Sequence, residues 1–171
     1  MNVGGNGNIA MADLREFFDA LGFGNARTLI QTGNVIFESD TSSGAELEVF
    51  LEQEALNRLG LDTTFLIRTP GEWEEAIKAN PFHDKARDDP RRLQVMALKD
   101  APAAEKVQLL EEAISGPEHV HAWDKHLFID YPDGSGNSKL TNVLIERKLE
   151  TRGTSRNWNT VLKISAMAQD V

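Results

Sequence analysis

The side chains best suited to hold an anion lie near the end of the chain, in residues 154–160, which read Thr-Ser-Arg-Asn-Trp-Asn-Thr after Gly153. Apolar residues follow at helical spacing, so we expect this stretch to be the first turn of a last helix. Thr154 or Ser155 would then cap that helix by accepting a backbone N–H. Polar donors beside the positive end of a helix dipole favour the binding of a negative group.

Other polar residues on predicted turns also carry donors that suit phosphate or carboxylate groups. The candidate anion-binding residues are Lys139, Thr154, Arg156, Asn157 and Asn159 near the C-terminal end, with Asn6, Gln31 and Asn34 in the first half. Each has a second interpretation, in which it caps a helix, makes a turn or bonds between helices. For Arg156 a further alternative is an ion pair with a carboxylate. For Lys139 the alternative is a side chain that is simply exposed to solvent.

Evidence for metal binding or catalysis is weak in this sequence. His119 and His121 alternate on a predicted strand and face one side, with Asp124 or His126 nearby. A metal site needs three or four converging ligands, so we expect no metal and no cofactor. No catalytic motif stands out, which leaves the catalytic residues unknown and does not decide whether the protein is an enzyme.

Composition narrows the class of protein. The chain has 171 residues, no cysteine and a formal net charge of −9, which argues against wholesale nucleic-acid binding. Between residues 138 and 163, however, the sequence has six basic residues and only two acidic ones. This excess is typical of an exposed helix pair or of a local anion site. No apolar run approaches the roughly 18 residues of a membrane span, and no secretory leader opens the sequence. We therefore expect a cytoplasmic protein without a membrane partner.

Periodicity and turn residues predict the elements in order. The first half predicts a helix from Met11 to Leu21, a hairpin of residues 28–31 and 35–37, a helix after the capping box Ser43/Glu46, a strand over 63–67 and a helix from Pro70. Residues 81–92 are polar and predict an exposed linker. The second half predicts a strand over 93–98, a helix near Pro102, a hairpin of 119–123 and 126–131, a helix capped by Ser138, and the last helix.

Both halves match fragments of the split β-α-β-β-α-β unit, so the predicted fold class is α+β with two ferredoxin-like halves. The boundaries are residues 1–80, a linker over 81–92, and residues 93–171 with an extra C-terminal helix. The second half lacks its last strand in this interpretation. The first half lacks its N-terminal strand, which lies inside the sheet of such a unit, and its loss leaves unpaired backbone. We therefore expect upstream codons to encode a short apolar strand.

Several segments resemble a bacterial family known only as a domain of unknown function, number sixteen ninety-seven. In the first half they are Asn2-Val-Gly-Gly-Asn-Gly7, Met11-Ala-Asp-Leu14 and Gln31-Thr-Gly-Asn-Val35; in the second they are Ser138-Lys-Leu-Thr141, Ile145-Glu-Arg147 and Thr154-x-Arg-Asn-Trp-Asn-Thr160. The resemblance implies two ferredoxin-like halves and a strand ending in Arg-Gly-Ile before the Asn-Val-Gly-Gly segment. It implies no established activity.

Two interpretations from different classes follow. The first is a protein that binds an anionic small molecule or a nucleotide at the late helix starts. The alternative is a non-catalytic interaction module that pairs with another protein or forms a homodimer. An exposed apolar sheet face or edge would favour this interpretation. Nucleic-acid binding by a sheet face is a third interpretation, weakened by the net charge and by the lack of an aromatic RNA-binding strand motif.

Overall fold

A computed structural model describes residues 2–3, 7–8, 10–29, 33–40 and 44–169. The chain divides into two compact units. Unit 1 comprises Met1–Gly71 with Ile164–Val171, and unit 2 comprises Glu72–Lys163.

Both units contain helices and strands. The strands are β1 (Asn2–Val3), β2 (Gly7–Asn8), β3 (Gly24–Leu29), β4 (Asn34–Glu38), β5 (Leu93–Leu98), β6 (His119–Trp123), β7 (His126–Asp130) and β8 (Gly153–Asn157). The helices are α1 (Met11–Ala20), α2 (Gly44–Leu59), α3 (Pro70–Ala79), α4 (His83–Asp88), α5 (Ala104–Glu111), α6 (Asn142–Leu149) and α7 (Trp158–Gln169). This mixture confirms the α+β class and the ferredoxin-like pattern of its halves. No helix in the described ranges is long and apolar enough to cross a membrane.

Unit 2 contains a complete split β-α-β-β-α-β unit. Its four strands lie in the order β6-β7-β5-β8, and every neighbouring pair is antiparallel. β5 is the first strand of the unit in sequence and lies inside the sheet, as the motif requires. The prediction that the second half lacks its last strand was therefore wrong, because Gly153–Asn157 forms β8 beside β5.

One face of this sheet packs on α5 and α6. Met96, Leu127 and Ile129 share a buried cluster there with Leu110 of α5 and Ile145 of α6. The opposite face is buried as well, since Val95, His126 and Phe128 are almost inaccessible. Burial on both faces explains why β5 is apolar except at Gln94.

The described residues of unit 1 contain α1, β3, β4 and α2 in this order, with two-stranded sheets β1-β2 and β3-β4. β3 and β4 form the predicted antiparallel hairpin, although residues 30–32 of its turn lie outside the described residues. Its core is aromatic: Phe18 of α1 contacts Phe37 of β4 at a ring-centroid distance of 4.7 Å and Phe65 at 6.3 Å. The predicted strand over 63–67 was wrong, because residues 61–69 form no regular strand.

Three other local predictions need correction or lie outside the described residues. Residues 81–92, predicted as a linker, contain α4, while the predicted domain boundaries stay a prediction. α6 begins after Thr141, whose side chain accepts the N–H of Leu144, so Ser138 is not the cap. Ser43 of the predicted capping box is not among the described residues.

Candidate functional site

The predicted site residues Thr154 and Arg156 lie on strand β8 and not at a helix start. Gly153 explains this, because a side chain there would meet the Ala97 carbonyl oxygen at 2.9 Å, so the chain runs unusually close to β5. Thr154 pairs with Ala97 and Arg156 with Val95. Because strand side chains alternate, Thr154 and Arg156 share the face of the sheet that α5 and α6 do not cover.

Arg156 donates to two neutral oxygens. Its Nη1 donates to Thr154 Oγ1 at 2.6 Å and to the Ser155 carbonyl oxygen at 2.8 Å. Burial lowers the pKa of this guanidinium, because the charged form loses hydration.

Asn157 has a structural role that the sequence analysis assigned to Thr154 or Ser155. Its Oδ1 accepts the backbone N–H of Thr160 at 2.9 Å and the Thr160 hydroxyl at 3.0 Å. These bonds satisfy one of the unpaired donors in the first turn of α7, which begins at Trp158. Ser155 points to the other face, where its hydroxyl donates to Asn142 Oδ1.

The remaining candidates in unit 2 lie on other elements than β8. Lys139 lies in the segment that leads into α6, next to Leu140 of the core under the helices, and so lies on the other side of the sheet. Asn159 is exposed on α7. Asn34 begins β4 in unit 1, and Asn6 and Gln31 lie outside the described residues. Ligand binding by these residues stays a prediction.

Sequence reasoning missed a buried polar group on the same face of the sheet as Arg156. Asp130 of β7 is buried, and its Oδ2 lies 3.5 Å from Lys85 Nζ of α4. On the same strand, the His126 ring is buried 5.5 Å from the Trp73 ring of α3, measured between centroids. Residues 81–92, predicted as a linker, thus contribute Lys85 to this face of the sheet. No local sequence pattern indicates that Lys85 pairs with Asp130.

The burial of this face is unlike the open face of a ferredoxin-like sheet that binds RNA. Ferredoxin-like sheets that bind RNA present exposed aromatic side chains on the open face. Here Phe128 is buried at the centre of that face. His119 and His121 are exposed on the edge strand β6, and in the described part of the chain no three His, Cys, Asp or Glu residues converge as metal ligands.

These elements define an α+β protein built from ferredoxin-like halves. The chain belongs to the family described as protein of unknown function (DUF1697), whose model matches residues 1–128. Its fold resembles the solved structure of the conserved bacterial protein SP0830 from Streptococcus pneumoniae, with a TM-score of 0.75 over 98% of this chain and 93% of that one. The identity between the two is 22%, so the likeness concerns the fold alone. No curated protein matches this chain.

Proposed function

We propose that the protein binds an anionic small molecule, such as a phosphate, a nucleotide or a carboxylate, at the end of β8. The observation that carries the proposal is the half-buried guanidinium of Arg156 at the end of that strand, two residues before the start of α7. A guanidinium binds oxyanions through charge-assisted hydrogen bonds that can be bidentate.

The adjacent helix start supports the same site. α7 begins two residues after Arg156 and runs for 12 residues, so its first turn presents backbone N–H groups and the positive end of a dipole. Thr154 would orient the guanidinium through its hydroxyl. Together these groups would offer a planar, charged donor and a helix end to one oxyanion.

A thermal-shift titration tests this proposal. Inorganic phosphate, adenosine monophosphate and citrate are each added at increasing concentration, and the midpoint of unfolding is measured. A ligand that binds the folded state must raise that midpoint. We expect a rise with at least one of the three, its loss in Arg156→Ala, and a smaller rise in Arg156→Lys, because lysine cannot bind an oxyanion in the bidentate manner.

Arg147→Ala is the matched control, since it removes the same charge from an exposed position on α6. It should keep the ligand-induced rise. Equal responses of the two variants, or no rise with any anion in the unsubstituted protein, would rule out an anion site at Arg156.

A specific surface feature favours the alternative, an interaction module that forms a homodimer. Val49 and Leu56 of α2 are 51% and 54% exposed. They are seven residues apart, so they lie on the same side of the helix, two turns from one another. Phe50 and Leu59 add partly exposed apolar surface to the same helix. An apolar stripe of this kind is typical of a contact surface.

Sedimentation equilibrium distinguishes this alternative. A homodimer through α2 would dissociate in the double variant Val49→Glu/Leu56→Glu. Leu109→Glu, which places one such charge on an exposed leucine of α5, should leave the association unchanged. A protein that is monomeric at every concentration measured would exclude the homodimer.

A further inference from the structure

Asp130 is a buried carboxylate with unused hydrogen-bonding capacity. The residue is 5% exposed and ends β7, on the face of the unit 2 sheet that α5 and α6 do not cover. Among the described residues its Oδ1 has no hydrogen-bond partner, and its Oδ2 lies 3.5 Å from Lys85 Nζ. A charge-assisted hydrogen bond to a carboxylate is shorter, about 2.7–2.9 Å. Because a buried charge is costly unless it is paired and hydrogen-bonded, this carboxylate favours a partner with further donors.

Lys85 reaches the carboxylate from a helix that has little hold on the sheet. α4 has six residues, and none of them is buried. Its Arg87 pairs with Asp84 and Asp88 of the same helix, so these ion pairs do not attach α4 to the rest of unit 2. The Lys85 side chain is 39% exposed. Its ammonium can therefore leave Asp130 for water without uncovering a buried side chain of α4.

Asp130 lies one strand from the edge of the sheet. It is opposite His119 of β6 on one side and opposite Leu93 of β5 on the other. β6 is an edge strand, and His119 is exposed. Neighbouring strands are about 4.8 Å apart, so a small ligand that enters at this edge has a short distance to cover once α4 has moved.

The side chain that now contacts Asp130 indicates the chemistry of a ligand. Lys85 places a primary ammonium beside Oδ2, which is the type of group that a ligand would replace. A free ammonium has three donors and a guanidinium has five in a planar fork, so either can serve both carboxylate oxygens. A metal ion is less suitable, because within the described ranges no three His, Cys, Asp or Glu residues converge.

We propose that Asp130 is the acidic group of a binding site for a small organic cation, either a primary ammonium or a guanidinium. Lys85 occupies this group in the unliganded protein. The ligand displaces Lys85, donates to both carboxylate oxygens, and is admitted by movement of α4 away from the sheet. The site is separate from the anion site proposed at Arg156, because β5 lies between β7 and β8.

Thermal-shift titrations of the full chain with agmatine and n-butylammonium test the site. A cation that binds the folded state raises the midpoint of unfolding. In Lys85→Ala the half-maximal rise should occur at an about tenfold lower concentration, because the competing ammonium no longer keeps most molecules from binding. Asp130→Asn keeps the shape of the side chain and should abolish the rise. Tetramethylammonium has the charge but no N–H donor, and should have no effect at matched ionic strength.

Lys78→Ala is the matched control, since it removes a lysine from an exposed ion pair with Glu74 on α3. It should respond as the unsubstituted protein does. Arg156→Ala should also keep the response to cations, so the cation site and the anion site can fail independently. The proposal is overturned if neither cation raises the midpoint of Lys85→Ala, if Asp130→Asn responds like the unsubstituted protein, or if tetramethylammonium acts as well as agmatine.

Backbone amide exchange, measured by NMR, gives a readout that does not depend on the folding of Asp130→Asn. In α4 and at its end, the N–H of Ala86 donates to the Phe82 carbonyl oxygen at 2.9 Å and the N–H of Asp89 to that of Lys85 at 3.0 Å. Because the ligand releases α4, exchange of these two amides should become about tenfold faster with agmatine, while residues 94–97 of β5 stay unchanged. Unchanged exchange in α4 at saturating agmatine would place the cation elsewhere and overturn the assignment.

Discussion

The two units provide different hydrogen-bond acceptors for the backbone amides of their last extended segment. In unit 2 the last strand, β8, lies against β5 over five residue pairs and has a regular ladder. In unit 1 the equivalent segment bonds its amides at residues 65 and 67 to two glutamates of α2. Because a buried amide must find an acceptor, the available neighbour decides the structure that a strand-like sequence adopts.

The cores of the two units also differ in the type of side chain that fills them. Unit 2 packs aliphatic side chains between a four-stranded sheet and two helices. Unit 1 fills its core with phenylalanines, in which Phe17, Phe18, Phe37 and Phe65 form edge-on, tilted and stacked pairs. Aromatic rings bury a large area from few backbone positions, so few residues fill the core of unit 1.

Glu48→Ala should have the largest effect of the substitutions considered for this comparison. Glu48 is buried, its Oε1 lies 3.7 Å from Nη1 of buried Arg68, and it accepts the Ile67 amide. Removing one partner of a buried ion pair costs about 3–5 kcal/mol. Urea denaturation followed by tryptophan fluorescence and circular dichroism gives the change in unfolding free energy.

Two further variants serve as controls for the loss of unfolding free energy in Glu48→Ala. Glu54→Ala breaks the more exposed ion pair with Arg58 and should cost at most about 1 kcal/mol. Glu48→Met combined with Arg68→Met should recover much of the stability, because an apolar pair avoids the buried charge. If Glu48→Ala costs no more than Glu54→Ala, the carboxylate is not needed to hold residues 65–67.

Gly153→Ala tests the corresponding strand of unit 2. A Cβ at this position would lie 2.6 Å from Met96 Cε and 2.9 Å from both the Ala97 carbonyl oxygen and Leu98 Cδ2. The methionine can move, but the backbone oxygen cannot move without disturbing the ladder. We expect a loss of about 1–3 kcal/mol in the unfolding free energy.

Gly136→Ala serves as the control, because a Cβ there would meet no atom within 4 Å. Its effect should stay within about 0.5 kcal/mol. Faster amide exchange in residues 94–98 should accompany Gly153→Ala only. A harmless Gly153→Ala would mean that β8 does not depend on this close approach.

Elements with strong local patterns could be predicted from the sequence, and those defined by distant partners could not. The apolar strand β5, the strand β7 and the amphipathic helix α1 follow from the sequence pattern. Residues 63–67 have the same kind of pattern but form no strand, since strand formation depends on pairing that lies elsewhere in the chain. β8 has the opposite property: Gly-Thr-Ser-Arg-Asn lacks apolar residues, and its partner β5 makes it a strand.

The candidate site follows the same rule. Arg156 and Thr154 were predicted as anion-binding residues from their type, and that assignment stays a prediction; strand alternation explains why they share one side. Their assignment to a helix start was wrong, because Asn157 and not Thr154 precedes the first helical residue. Nothing in the local sequence pairs Lys85 with Asp130, which are 3.5 Å apart between side-chain nitrogen and oxygen. Such contacts depend on the tertiary fold alone.

Tyr131→Phe should reveal a pH dependence that belongs to unit 2. The Tyr131 hydroxyl donates to the Leu140 carbonyl oxygen at 2.9 Å, and its loss leaves that buried acceptor unsatisfied at a cost of about 1–2 kcal/mol. Burial, with a smaller contribution from the charge of Glu118, raises the pKa of Tyr131 from 10.0 to about 12.

The sign of the pH effect follows from that direction. The pKa is higher in the folded state, so the contribution of the neutral ring is complete below pH 10 and is lost as the pH rises towards 12. Tyr131 is the single tyrosine of the sequence, and tyrosinate absorbance therefore reports on this residue alone. The unfolding free energy should fall more steeply over this range in the unsubstituted protein than in Tyr131→Phe. Equal slopes, or ionisation near pH 10 in the folded protein, would contradict burial of this hydroxyl.

Asn157→Ala has the smallest expected effect and separates structure from ligand binding at the end of β8. Loss of the cap on Thr160 should cost about 1 kcal/mol, whereas Asn157→Asp keeps an acceptor oxygen and should cost less. Because the cap serves α7, the proportional response to phosphate in a thermal-shift titration should remain. If Asn157→Ala instead keeps its stability and loses the phosphate response, the Asn157 amide binds the anion directly, beside Arg156 and the first turn of α7.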